Sequence, residues 1–264
     1  MKKILFPTDL TRNSKKALDY AQYVAINAGL ELVLFHASMD EAEKAEAQIT
    51  LNTLVEELVQ SEIRGAKTIP YSAVCVDGLP VAQVADWMDK SSYKILVMAT
   101  SGDHRDHFQG IYLKSNTAAV MEKIQKPILF FPLQSPADKI SRVLIAVDVM
   151  KYEKPLLLEF ISFIKGFNAK IEFVYACNSN SVQVMEAIER FKYFLEKELP
   201  ASKLDVIMNE SLAQASEEII KRDTIDLLVM TKYKQQFWEK WFAKSNTQEM
   251  AYASTIPVMV LSAE

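Results

Sequence analysis

The chain has 264 residues, more than one small core requires and enough for two domains of about 130 each. Its composition, 50% hydrophobic and 24% charged, is that of an ordinary globular protein, and a formal charge of −4 without a basic block argues against a nucleic-acid footprint. No apolar run approaches a membrane span, and the opening MKKILFPTDL is too short in its apolar part for a secretory leader. The two cysteines, Cys75 and Cys177, fall at non-equivalent places and suit reduced, buried thiols, so a cytoplasmic protein without membrane or nucleic-acid partners is expected.

Taken in chain order, KILFP at 3–7 reads as a short buried strand. The stretch from Asn13 then puts Ala17, Leu18, Ala21, Val24, Ala25 and Ala28 on one helical face, with Gly29 as the cap. ELVLFH is the second strand. A charged helix over 41–64 follows, with Ile49, Leu54, Val55 and Leu58 expected inside. IPYSAVCV is a strand, and GLPVAQVADWMDKS a helix that tolerates Pro80 in its first turn. YKILVMAT, a loop, a helix from about Ser115 and the strand PILFF complete the first half.

The second half repeats this order. SRVLIAVDV is its opening strand, with Asp148 in the place of Asp9. EKPLLLEFISFIKGF is a helix carrying Leu156, Leu157, Phe160, Phe163, Ile164 and Phe167. AKIEFVYA, a helix over about 181–199, KLDVIM, the helix ESLAQASEEIIKR, IDLLVMT and PVMVLS follow. Strands apolar throughout are buried on both faces, which implies parallel sheets covered by helices. The expected fold class is α/β, two tandem domains over 1–133 and 139–264, joined by the polar gap LQSPADK. The first copy carries nine more residues between its Asp and its KSNT, most of them expected in its second helix.

KSNT itself occurs twice, at Lys114–Thr117 and Lys244–Thr247, each Lys followed thirteen residues later by a Pro and an apolar strand. With ILFPTD, LELVLFHA, DGLPVAQVADWMDK, KILVMAT and KSNTAAVMEKIQKPILFF, this pattern resembles the universal stress protein family over essentially the whole chain, more strongly in the first copy. The resemblance implies two Rossmann-like (adenine nucleotide alpha hydrolase-like) domains, each a five-stranded parallel sheet with helices on both faces. It further implies that the copies pair through their closing strands, Ile128–Phe131 and Val258–Leu261, and that a homodimer can form. In members that bind ATP, a loop G-x2-G-x9-G-[S/T] closes on the phosphates and the Asp ending strand one meets the adenosine part. By this resemblance, ATP or AMP in the first copy would lie among Thr8, Asp9, Ala37, Met98, Gly102, Ser115 and Thr117.

The loop spacing departs from that pattern. In the second copy Thr231, Lys234 and Lys244 occupy the three glycine places and Ser245 follows; in the first they are Ala99, Gly102 and Lys114, then Ser115, with eleven residues rather than nine between the last two places. Side chains there bring a Cβ where a phosphate approaches and resist positive φ. The expected protein is thus a non-catalytic stress-response binding module with degenerate nucleotide loops and no bound cofactor; the alternative is ATP or AMP held by the first copy alone. Ser115 and Ser245 read as helix N-caps, Ser245 with Gln248 as a capping box, while Lys114 and Lys244 beside those helix ends leave an anion site open. In GDHRDH, Asp103, His104, Asp106 and His107 offer metal-type ligands or a solvated loop, and FWEKWF at 237–242 offers core-facing rings or a docking surface. No Ser-His-Asp, Cys-His or P-loop arrangement marks an enzyme.

Overall fold

The structure is a computed structural model, and it describes residues 1–11, 14–62, 67–120 apart from 101–119, 123–208, 211–231 and 256–262. The chain divides into two compact units, Met1–Ser135 and Pro136–Ala263, each taken by itself below.

In the first unit β1 (Lys3–Pro7), β2 (Glu31–Ser38), β3 (Tyr71–Asp77), β4 (Tyr93–Thr100) and β5 (Ile128–Pro132) form a parallel sheet in the order β3-β2-β1-β4-β5. Ile4, Leu5 and Phe6 are wholly buried, as are Leu32, Val33 and Leu34, so β1 and β2 have no solvent face. Parallel strands need long crossovers, and α1 (Lys15–Ala28), α2 (Glu41–Glu62) and α3 (Pro80–Asp89) supply them. Right-handed crossovers put α1 and α2, which step from β1 outward to β3, on one face; α3 steps back to β4 on the other.

Helix α1 buries Ala17, Leu18, Tyr20, Ala21, Val24 and Ala25, and ends on Gly29 at φ 66°, a left-handed position that glycine takes without steric cost. Ala28 is only half-buried and Tyr20 takes a core place instead, stacking on Phe131 at 4.5 Å. Helix α2 departs further from expectation. Its inner face is Ala47, Leu51, Leu58 and Glu62, with Leu54 and Val55 half-buried, and Ile49 is 68% exposed. Steps of three and four residues keep 47, 51, 54, 58 and 62 on one side, and position 49 lies almost opposite. Glu62 is buried because it accepts from the Tyr71 hydroxyl at 2.6 Å and from the Ile69 N–H at 3.2 Å.

The second unit repeats the plan: β6 (Arg142–Ala146), α4 (Lys154–Ile164, then a 3-10 turn to Phe167), β7 (Lys170–Cys177), α5 (Val182–Glu198), β8 (Lys203–Met208), α6 (Leu212–Arg222), β9 (Leu227–Thr231) and β10 (Val258–Leu261). Its strands are parallel in the order β10-β9-β6-β7-β8. In α4 the core residues are Leu157, Phe160, Ile161 and Ile164, followed by Phe167; Leu156 and Phe163 sit half-buried at the margin of that stripe. Ser211 and Gln214 cap α6 reciprocally, satisfying two orphan N–H groups.

Strand registers align the copies residue by residue. Lys3 faces Glu31 as Arg142 faces Lys170, so β1 and β2 map onto β6 and β7 at one constant offset. Ser38 pairs with Asp77 and Cys177 with Met208, which leaves eight fewer residues between the second and third strands of the second unit. The surplus lies around α2, with 22 residues against 17 in α5. Two more appear after the fourth strand: Ala99 pairs with Phe131, 32 positions on, and Thr231 with Leu261, 30 on. Of the two thiols, Cys177 is buried as expected, whereas Cys75 lies on edge strand β3 and is half-exposed.

At the amino ends of the second sheet, Arg142 bridges Glu172 at 2.5 Å and Asp223 at 3.6 Å, while Arg222 reaches Asp205 at 3.0 Å. Burial raises the Asp205 carboxyl, but hydrogen bonds from Lys203 and Arg222 outweigh it and hold the group below the usual carboxylate range. A depressed folded-state pKa contributes stability that is present above the unfolded value and lost as pH falls through the folded one. Urea midpoints of the native protein should therefore drop as pH falls below about 4, and Asp205→Asn should flatten part of that drop. Within the same unit, Phe191 is wholly buried and stacks on Tyr152, Phe173 and Phe194 at 4.8, 5.4 and 5.7 Å. Phe191→Ala should cost about 3–5 kcal/mol in denaturant unfolding.

Candidate functional site

In the first sheet β1 lies between β2 and β4, and the chain leaves it in opposite directions on the two sides. This is a topological switch point, where a crevice opens beyond the carboxyl ends of the strands. The second sheet has its switch point at β6, between β9 and β7. Side chains at these strand ends are thus the candidate ligand residues of each unit.

Beyond β1 the chain folds into two nested side-chain turns. Thr8 is buried, its N–H donates to the Phe35 carbonyl at 2.9 Å, and its Oγ1 accepts from the Leu10 N–H at 3.0 Å. Asp9 is exposed; its Oδ1 accepts from the Thr11 N–H at 3.0 Å and the Thr11 hydroxyl at 2.8 Å. Short polar side chains that bond the backbone two residues on make turns of this kind. The Ser14 hydroxyl, at the start of α1, donates to the Thr11 carbonyl at 2.7 Å and lies 3.2 Å from Thr8 Oγ1. Leu10 is held at φ 62°, a left-handed conformation that costs a branched L-residue about 1–2 kcal/mol.

His36, near the end of β2, places Nδ1 2.9 Å from the Thr8 carbonyl. A carbonyl only accepts, so Nδ1 carries the proton and Nε2 is the acceptor nitrogen in the neutral ring. Ala37 and Met98 are both buried at the ends of β2 and β4, on either side of β1. The structure therefore gathers Thr8, Asp9, Ala37 and Met98 at one switch point. Gly102, Ser115 and Thr117 lie outside the described residues, as do both KSNT segments, the GDHRDH cluster, Lys234 and FWEKWF.

The second unit keeps part of this arrangement. The Val147 N–H donates to the Val174 carbonyl at 3.0 Å, as Thr8 does to Phe35, and Asp148 Oδ1 accepts from the Met150 N–H at 3.0 Å, repeating the Asp9 turn. Val147, however, has no hydroxyl to pull on the next turn, and among the described residues only Leu10 and Asn168 combine a side chain with positive φ. Tyr175 stands where His36 does, and burial first, then the charges of Asp148 and Cys177, pushes its phenol up.

One expectation needs refinement. Ala99 and Thr231, at the first glycine place of the loop pattern, both sit inside parallel ladders, opposite Phe131 and Leu261. Extended backbone accepts any L-residue there, so a side chain at that place takes up room without straining the chain. Sequence reasoning also passed over Leu10, Thr11 and Ser14. Asp9 and Thr11, two apart in TDLT, are the spacing of an Asx-turn and could have signalled them.

Each unit is thus a Rossmann-like α/β layer with its candidate crevice at a switch point, the class of fold that holds mononucleotides. The universal stress protein family matches residues 1–132, half of the chain, and the chain belongs to that family. Among solved structures it is similar to a universal stress protein from Archaeoglobus fulgidus DSM 4304, with a TM-score of 0.68 and 18% identity over 98% of this chain and 96% of that one. It is also similar to a functionally unknown protein from Pseudomonas aeruginosa PAO1, at 0.65 and 15% over 99% and 92%. The cytoplasmic domain of a prokaryotic cation chloride cotransporter follows, at 0.61 and 12% over 98% and 94%. These likenesses concern the fold. No curated protein matches the chain.

The Val147 counterpart makes Thr8 testable. Thr8→Val removes two hydrogen bonds, from the Leu10 N–H and to the Ser14 hydroxyl, together worth about 2 kcal/mol, and frees Leu10 from a strain of about 1–2 kcal/mol. Urea unfolding should therefore show a net loss within about 1 kcal/mol; a loss near 3 kcal/mol would mean that the turn is not strained.

Proposed function

We propose that this chain is a cytoplasmic, non-catalytic stress-response module made of two universal stress protein domains, whose nucleotide sites have degenerated, the second further than the first. The observation that carries the reading is the unequal state of the two switch points. Thr8 and His36 tie the first crevice together through the 2.9 Å contact at the Thr8 carbonyl. At the same places the second unit has Val147 and Tyr175, an aliphatic and a largely buried phenol. The departures from the glycine pattern follow the same gradient, since Gly102 remains in the first copy and no glycine in the second. A binding or interaction role fits side chains that are spent on turns, with Asp9 Oδ1 and Thr8 Oγ1 both accepting backbone N–H groups.

A second reading has one observation in its favour. Asp9 is exposed at the end of β1, and among the described residues its hydrogen bonds use Oδ1, with Oδ2 an acceptor suited to a ribose hydroxyl. On that reading the first copy holds ATP or AMP among Thr8, Asp9, Ala37, Met98, Gly102, Ser115 and Thr117.

Small molecules released from the purified, denatured protein should contain no stoichiometric adenine nucleotide by mass spectrometry, and calorimetric titration with ATP and AMP should give flat traces. One nucleotide per chain, lost in Asp9→Ala and kept in Asp148→Ala, would replace the first reading with the second. Phosphate release from ATP above the blank would overturn the non-catalytic assignment.

A further inference from the structure

We propose that Cys177 and Met208 form a binding site for a soft monovalent metal ion, Cu⁺ or its redox-inert analogue Ag⁺, at the carboxyl edge of the second sheet. The two residues are an in-register pair of the β7–β8 ladder, and the Cys177 Sγ lies 3.2 Å from the Met208 Sδ. That is closer than the roughly 3.5–4.0 Å at which non-bonded carbon atoms rest, although sulfur is the larger atom. A thiol is a weak donor and a thioether a weak acceptor, so the hydrogen bond between them contributes little by itself. What the pair does supply is a donor set: thiolate with thioether selects Cu⁺ over the harder divalent ions.

Charge and access point the same way. Cys177 is 7% exposed, so a thiolate alone there would be a buried uncompensated charge. Binding as Cys177–SH + Cu⁺ → Cys177–S–Cu + H⁺ leaves the core neutral, and Met208 completes the coordination through a sulfur lone pair. A divalent ion would need further hard ligands, and among the described residues no three His, Cys, Asp or Glu side chains gather to hold a metal. β8 is the outermost strand of its unit and Met208 is 43% exposed, which gives the ion a path in. Metal–sulfur bonds of about 2.3 Å need the two sulfurs to spread, and Met208 can swing outward on its unbranched, flexible stem. The first unit has Ser38 and Asp77 at the corresponding ladder pair, both oxygen donors, so the sulfur pair belongs to the second unit alone.

The test is anaerobic competition for Cu⁺ between the full chain and a chromophoric Cu⁺ chelator, with Ag⁺ binding followed in parallel by native mass spectrometry. The native chain and Cys75→Ser should each take one ion, and Cys177→Ser should take none. Met208→Leu, at an exposed edge position that tolerates the change, should fold normally by circular dichroism and bind at least about fivefold more weakly, because one of two ligands is gone. A smaller drop in Met208→Leu, loss of binding in Cys75→Ser, or no uptake by the native chain would each overturn the proposal.

Discussion

The constraint on which both units depend is the double burial of their central strands. Ile4, Leu5 and Phe6 in β1, and Val143, Leu144 and Ile145 in β6, are all wholly buried. A strand with no solvent face must be covered on both sides, so helices have to cross over each face, and right-handed crossovers can do this only if the chain departs from the central strand in both directions. The split beyond Thr8 and Val147 is therefore a consequence of core packing. The topology thus sets the place of a crevice before any ligand residue is chosen, and the side chains there decide what it can hold.

How those side chains are arranged accounts for the divergence between copies. The backbone frame is the same in both: Thr8 and Val147 donate to Phe35 and Val174 at 2.9 and 3.0 Å, and Asp9 and Asp148 both cap a turn two residues on. What differs, besides the left-handed backbone at Leu10, is the chemistry hung on that frame. Thr8, His36, Ser38 and Asp77 of the first unit become Val147, Tyr175, Cys177 and Met208 in the second. Every one of these changes replaces a nitrogen or oxygen group with a more apolar or softer one. The carboxyl end of the second sheet offers fewer hydrogen-bonding groups than that of the first and more aliphatic, aromatic and sulfur surface.

Much of this architecture could be read from the chain because the strands announce themselves: runs such as KILF, LVLF, ILVM and LLVM have no polar alternation, and burial on both faces is the one environment that suits them. Gly29 and Pro80 marked helix ends by their own conformational limits. Helix α2 was harder, since its charged sequence carries apolar residues on more than one side, and Ile49 was assigned to the core although the tertiary contacts choose the face through Leu51 and Leu58. At the candidate site, Asp9 was singled out through the family pattern, and its place after β1 is as expected. The tautomer of His36 was not, because it follows from a carbonyl 28 residues away in sequence that only the β1–β2 ladder brings close.

Ala99 and Thr231 show what a side chain at the first glycine place costs the backbone. If these positions had needed positive φ, side chains there would have forced a different backbone and both sheets would be shortened at their fourth strand. Instead the ladders run on to Thr100 and Thr231, so the side chains at this place leave the strands intact. A fold that carries side chains at this place without shortening its strands incurs no backbone strain for them. Two copies under the same packing constraint share Asp9 with Asp148, Ala37 with Ala176 and Met98 with Met230, and differ at Thr8 against Val147 and at His36 against Tyr175.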